Sequence, residues 1–169
     1  MADYKKLIPF IKKWEAGFAN DPSDLGGATM SGITLNTFRF YYGKSKTVND
    51  LKHMTEAQWE HIFKEGFWDK WKGDEIKSDK VAFILIDWLW ASGSYAIKRP
   101  QRMLGLVDDG IVGEKTISAI NSRNSTELFN DIYNLRVKFI DEICEKRPAN
   151  KKFKKGWLRR ISSLKTTYQ

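Results

Sequence analysis

The chain has 169 residues, enough for one domain or one compact domain with a small second lobe, and long enough to bury a core without covalent staples. A single cysteine, Cys144, excludes an intramolecular disulfide, and two histidines far from it offer no Cys/His zinc cluster. The net charge of +8 favours an anionic partner, whether nucleic acid, an acidic membrane surface or a wall polymer, without choosing among them.

The first segment, MADYKKLIPFIKK, lacks the continuous apolar core and small-residue cleavage site of a secretory signal, which sets the expectation of synthesis in the cytosol. Tyr4, Leu7, Ile8, Ile11 and Trp14 share one helical face, while Lys5, Lys6, Lys12 and Lys13 take the other. Pro9 kinks this helix or marks its effective start. Residues 19–34 break the pattern with Pro22, Gly26, Gly27 and Gly32, then lead into a Thr/Ile/Leu stretch suited to a short hairpin, the one good β candidate. After a polar loop at 43–50, Thr55 and Gln58 form a capping box for a helix whose apolar face holds Trp59, Ile62, Phe63 and Phe67.

From Asp79 to about Trp90 the chain is apolar nearly all round, as in a helix surrounded by other helices, and this segment is the expected hub. Its run VAFILIDWLWA is interrupted by Asp87 and falls short of the ~20 apolar residues that span a bilayer. SGSY interrupts the helix, a further helix covers roughly 95–104, and LVDDGIVG is a turn region before a short helix at 114–121. Ser125 or Thr126 is placed to cap a long helix carrying Leu128, Ile132, Leu135, Phe139 and Ile143, which Pro148 ends. The basic stretch KRPANKKFKKGWLRRISSLK reads equally as an anion-binding surface or a solvated helix face. A mainly α chain with one short β-hairpin near the N-terminus is the expectation.

At 100° per residue, Glu15 falls in the same arc as Ile8 and Ile11, within the apolar stripe rather than on the lysine face. Desolvation disfavours a charged carboxylate, and a glutamic acid that keeps its proton can give it to a leaving group. The alternative is a glutamate at a frayed helix end, turned to solvent or paired with Lys12. Glycosidic hydrolysis needs a second group across the sugar, and Asp21, Asp24 and Thr29 lie on the adjacent turn. Asp21 and Asp24 also suit turns in which a carboxylate bonds its own backbone. For Asp24 both readings stay open.

The stretch EAGFANDPSDLGGATMSGIT resembles the N-terminal signature of glycoside hydrolase family 108, the bacterial and phage N-acetylmuramidases, approximately EGGYxNDPxDxGGxTxxGIT. Downstream, LKHMTEAQWEHIFKEGFW is similar to the family's threonine-capped helix leading to an aromatic pair, here Phe67 and Trp68. The second half, with VAFILIDWLWASG, KRPQRMLGLVDDGIVGEKTISAI and KFKKGWLRRISSL, resembles the predicted peptidoglycan-binding region that accompanies this family. The resemblance implies a lysozyme-like helical fold, with residues 1–76 as catalytic region and 77–169 as peptidoglycan-binding-like region, packed as one compact unit. Some such proteins have been labelled secretion activators.

Carried over residue by residue, the resemblance puts the catalytic glutamate at Glu15, with Asp24 and Thr29 following the acid, aspartate, threonine order of phage-type lysozymes, one residue shorter to the threonine. Two departures stand out: Ala16 replaces a glycine of the signature, and Ala91 replaces an asparagine expected after Asp87. The implied activity is a peptidoglycan hydrolase cutting the β-1,4 bond between N-acetylmuramic acid and N-acetylglucosamine, without cofactor or metal, acting as a monomer on glycan strands. Release by phage lysis, as for an endolysin, or dedicated export would bring it to the wall. The alternative is a non-catalytic peptidoglycan-binding or secretion-assisting protein with the same fold.

Aromatic faces stack on sugar rings, so Trp68 and Tyr42 are candidate substrate contacts, although most of the seven tryptophans recur at core spacing. Asp87 is taken as structural, bonded to a helix N-terminus or a backbone N–H, because a buried carboxylate without partners costs several kcal/mol. DDGIVG lacks the further oxygen ligands and glutamate of a calcium loop and reads as a capping turn. With no P-loop, dinucleotide fingerprint, Gly-x-Ser-x-Gly elbow or HExxH, phosphoryl transfer, hydride transfer and zinc proteolysis have no support. Neither nucleic-acid binding nor membrane insertion is expected.

Overall fold

The computed structural model describes residues 1–15, 17–21 and 26–168. Among these the chain is mainly α with one small antiparallel sheet. It divides into two compact units, Lys5–Gly66 and Met1–Tyr4 together with Phe67–Gln169.

In the first unit, α1 (Ile8–Trp14) starts at the proline, which sits in its first turn where the missing N–H is not needed. The expected hairpin gains a third strand. β1 (Phe18–Ala19) pairs antiparallel with β2 (Thr29–Met30), which pairs antiparallel with β3 (Ile33–Thr34). Thr34 then caps α2 (Leu35–Tyr42) by accepting from Thr37 N–H at 3.1 Å. The end of the loop expected at 43–50 is the start of a helix, α3 (Val48–Lys52). Thr47 and Asp50 bond reciprocally there, a capping box with aspartate in place of the longer acid. Thr55 and Gln58 form the expected box at α4 (Glu56–Phe63), with bonds of 3.2 and 3.0 Å, and α4 runs on into a π-helical turn, Lys64–Trp68.

The second unit is organised on α5 (Asp79–Ser92), buried continuously from Val81 to Leu89. Such a helix has no solvent face, and its Phe, Ile, Leu and Trp side chains each contribute roughly 1.5–3 kcal/mol by burial. Gly93, at φ +62°, ends it in the left-handed region that glycine enters without penalty. Around it lie α6 (Tyr95–Met103), α7 (Glu114–Ser122), α8 (Ser125–Lys146) and α9 (Lys151–Tyr168). The cap of α8 is Asn124, one residue before the expected Ser125 or Thr126, and its side-chain Oδ1 accepts from the N–H groups of Thr126 and Glu127. The DDGIVG turn is held by buried Gln101, which accepts from Gly110 N–H at 3.0 Å and donates to the Ile111 carbonyl at 2.9 Å. Cys144 is buried between α8 and α9, as an inert thiol would be.

Asp87 is fully buried in α5, and its partners are two arginines rather than a helix end or a backbone amide. Arg136 of α8 donates from Nη1 to Oδ2 at 2.9 Å, and Arg160 of α9 donates from Nε and Nη2 to Oδ1 at 3.1 and 2.7 Å. Burial alone would raise the Asp87 pKa, but the two guanidiniums outweigh it and hold the carboxyl below its ordinary value.

A carboxylate depressed in the folded state contributes stability that is fully present above its unfolded pKa, about 3.9, and lost as pH falls through the folded one. Urea unfolding should therefore show stability declining below about pH 4. Asp87→Asn should flatten that decline and lower stability at pH 7 by about 3–5 kcal/mol, because two buried guanidiniums lose their counter-charge.

Candidate active site

Glu15 is the residue that ends α1. Its N–H still donates to the Ile11 carbonyl at 3.0 Å, but its backbone, at φ −112° and ψ 61°, has left the helix. It is half-buried, at the edge of the apolar stripe formed by Leu7, Phe10 and Ile11. Lys12, the alternative partner expected for it, turns to α4, where it pairs with Glu56 and lies 4.7 Å from the centre of the Trp59 ring. Past Glu15, Gly17 at φ +70° turns the chain into β1, and its carbonyl accepts from Ser31 N–H at 2.8 Å.

Thr29 lies in the central strand β2, half-buried, opposite Ala19 of β1 and Thr34 of β3. The β2–β3 turn is formed by Ser31 and Gly32, both at positive φ (45° and 82°), as the tight mirror-image hairpin turn requires. Trp59 fixes this turn to α4 by donating from Nε1 to the Ser31 carbonyl at 3.0 Å. The helix end bearing Glu15 and the strand bearing Thr29 are thus tied to the same face of α4, by Lys12 and by Ser31. Asp24 and Ala16 fall outside the described residues.

Tyr42 is half-buried at the end of α2, its ring 5.2 Å from that of Phe38. Its hydroxyl lies 2.9 Å from His61 Nδ1, and His61 Nε2 lies 2.7 Å from Glu65 Oε2, so a phenol, an imidazole and a carboxylate form a chain. Burial and the Glu65 charge raise the pKa of both Tyr41 and Tyr42, which keeps the phenols protonated. His61 and Glu65 are four residues apart on successive helical turns, a spacing that is visible in the sequence and by itself signals only an i,i+4 pair.

Trp68 has no free face to offer a sugar. It is fully buried in the unit that contains Phe67–Gln169, with its indole N–H donating to Asp74 at 2.8 Å and its ring against Tyr4 and Phe83. The substrate contact expected of it is therefore corrected to a core position. Among the described residues, no three His, Cys, Asp or Glu side chains converge as metal ligands, and no helix is long and apolar enough to cross a membrane.

The sequence profile of glycosyl hydrolase 108 matches residues 8–93, which include Glu15, the sheet and α4. The chain belongs to the glycosyl hydrolase 108 family. A second profile, a predicted peptidoglycan domain, matches residues 95–162. The solved structure of Brucella abortus SagA is similar over 98% of this chain and 92% of that one, with 28% identity and a TM-score of 0.86. No curated protein shows significant sequence similarity. This family member is thus a peptidoglycan-related protein with a mainly α, lysozyme-like fold.

The structural role of Trp68 has a direct test. A Cβ at Gly73 would lie 2.3 Å from Trp68 Cε2, inside the contact distance of a ring that has no room to retreat. Gly73→Ala should therefore destabilise by about 1–3 kcal/mol, as overpacking does, read as a lower urea midpoint with an unchanged slope.

Proposed function

We propose that the protein is an N-acetylmuramidase that hydrolyses the β-1,4 bond between N-acetylmuramic acid and N-acetylglucosamine, with Glu15 as the general acid. The observation that carries this reading is the position of Glu15: a half-buried carboxyl group at the last turn of α1, directly before the small sheet, inside the segment matched by the glycosyl hydrolase profile. A proton donor at the margin of an apolar helix face can reach a glycosidic oxygen while its far side is shielded from water. Protonating that oxygen lets the C–O bond break with electrons leaving on the departing sugar, and positive charge then develops at the anomeric carbon.

Asp24, aided by Thr29, would stabilise that charge or orient the attacking water from the opposite side of the ring. Thr29 supports this role by its place in the central strand, where pairing on both edges fixes its backbone. The half-buried phenol of Tyr42, on the helix that leaves the sheet, is a candidate contact for sugar hydroxyls. The surplus of Lys and Arg favours encounter with anionic wall polymers, an attraction that rising salt screens.

Glu15→Gln removes the proton and keeps the shape. It should lower clearing of purified cell walls by about 10²-fold or more, with new reducing ends disappearing in parallel. Equal clearing by the two proteins would remove Glu15 from the chemistry, and anhydro sugars among the products would mark a transglycosylase. A wild-type protein that sediments with walls yet clears none of several wall types would leave the non-catalytic wall-binding reading.

A further inference from the structure

The unit that holds Phe67–Gln169 contains a pocket that the hydrolytic reading does not use. It has a volume of about 100 Å³ and opens among α5, α8 and α9. Trp88, Phe139 and Trp157 supply aromatic wall, Ala91 and Ser92 come from the last turn of α5, and Arg136 lines the interior. Phe153, half exposed on α9, lies 5.7 Å from the ring of the pocket residue Trp157. The size is of the order of the ~150 Å³ cavity that admits a benzene ring, enough for a small side chain and too small for a pair of sugars.

Arg136 is the informative residue. It is only 3% exposed, yet only one of its three guanidinium nitrogens is engaged by the protein. Nη1 donates to Asp87 Oδ2 at 2.9 Å and to the Ile84 carbonyl at 3.4 Å, and Nε and Nη2 make no hydrogen bond among the described residues. Neither nitrogen is sealed from solvent, since among the described residues the fully enclosed side-chain nitrogens and oxygens lacking a partner are Trp14 Nε1 and Trp71 Nε1 alone. Arg136 is one of the residues that line the pocket. Nε and Nη2 form one edge of the guanidinium, two parallel donors whose spacing matches the two oxygens of a carboxylate. A hydroxyl or single carbonyl would use half of that edge. Lys151, Lys152, Lys155 and Arg159, all exposed on α9, add a positive field.

We propose that this pocket binds the carboxylate end of a short peptide with a small apolar terminal residue, the chemistry of the terminal alanine of a peptidoglycan stem peptide. Arg136 takes the carboxylate through Nε and Nη2, and Trp88, Phe139 and Trp157 enclose the methyl group. The choice of alanine rests on the wall-directed reading of the protein. The pocket then gives the chain a hold on the peptide of the wall, separate from the sugar bond that Glu15 would cut.

The test is a titration of the full chain with N-acetyl-D-alanyl-D-alanine, followed by calorimetry or amide chemical shifts. Saturable binding is expected, with shifts at Ala91, Ser92 and the Trp157 indole, and the C-terminal amide of the same dipeptide should bind at least about tenfold more weakly, a loss of about 1.4 kcal/mol. Ala91→Leu, at an exposed position one helical turn beyond Asp87, fills the mouth and should weaken binding by about the same factor, with the thermal midpoint measured in parallel to show that the Asp87 cluster is kept. Absence of saturable binding, equal binding of the amide, or unchanged binding by Ala91→Leu would each overturn the proposal. Wall clearing without dipeptide binding overturns it and leaves the muramidase reading in place, whereas dipeptide binding without clearing supports it and counts against that reading.

Discussion

A negative charge at the centre of the most apolar helix sets the terms for half of this protein. Asp87 sits where α5 has no solvent face, so it must be met by cations on whatever packs against it. One comes from α8 and one from α9, and with both in place three helices share a fixed rotation and height. Such a cluster is costly to desolvate and adds little net stability over a well-packed apolar substitute. Its contribution is selectivity among packings: sliding α8 or α9 by a turn would leave a buried charge alone, so near-native arrangements are penalised more steeply than apolar contacts alone could manage.

Much of the architecture was legible in the sequence because it follows from local rules. The proline start of α1, the capping box at Thr55, the buried hub from Asp79 and the helices after it all follow from periodicity and capping residues close in the chain. The discrepancies lie where two chemistries give the same local signal. Thr47 and Asp50 read as loop because short polar residues favour turns and caps alike, and Asn124 stands beside two hydroxyl residues that cap equally well, so sequence does not choose among the three. Strands of two residues show no alternation, so the third strand left no pattern to find.

The candidate site divides in the same way. Helical phase singled out Glu15 because a charge in an apolar stripe is unusual, and the same test finds Arg136, which falls between Ile132 and Phe139 on the apolar face of α8. Read together with Asp87, that arginine identifies its own partner from sequence. Spacing tells which way a tryptophan points without telling whether another element covers it, so the burial of Trp68 is not legible in the sequence. The cover comes from Gly73, whose missing side chain is what lets the indole lie flat there. The contact between His61 and Tyr42 depends on how α2 meets α4, which periodicity does not encode.

The attachment of the first residues has a kinetic meaning. Ala2 N–H bonds the Ile76 carbonyl and Asp3 N–H bonds Asp79 Oδ1, so residues that begin the chain complete the unit formed mostly by Phe67–Gln169, with all of Lys5–Gly66 inserted between. That seam spans 76 positions of sequence, and the entropy of closing so long a loop must be met before any contact repays it. Helices α5 to α9 can assemble from neighbours, while the seam waits for the intervening chain to condense. The amino end should therefore be the last part of its unit to gain protection from hydrogen exchange during refolding, and the first to lose it on mild destabilisation.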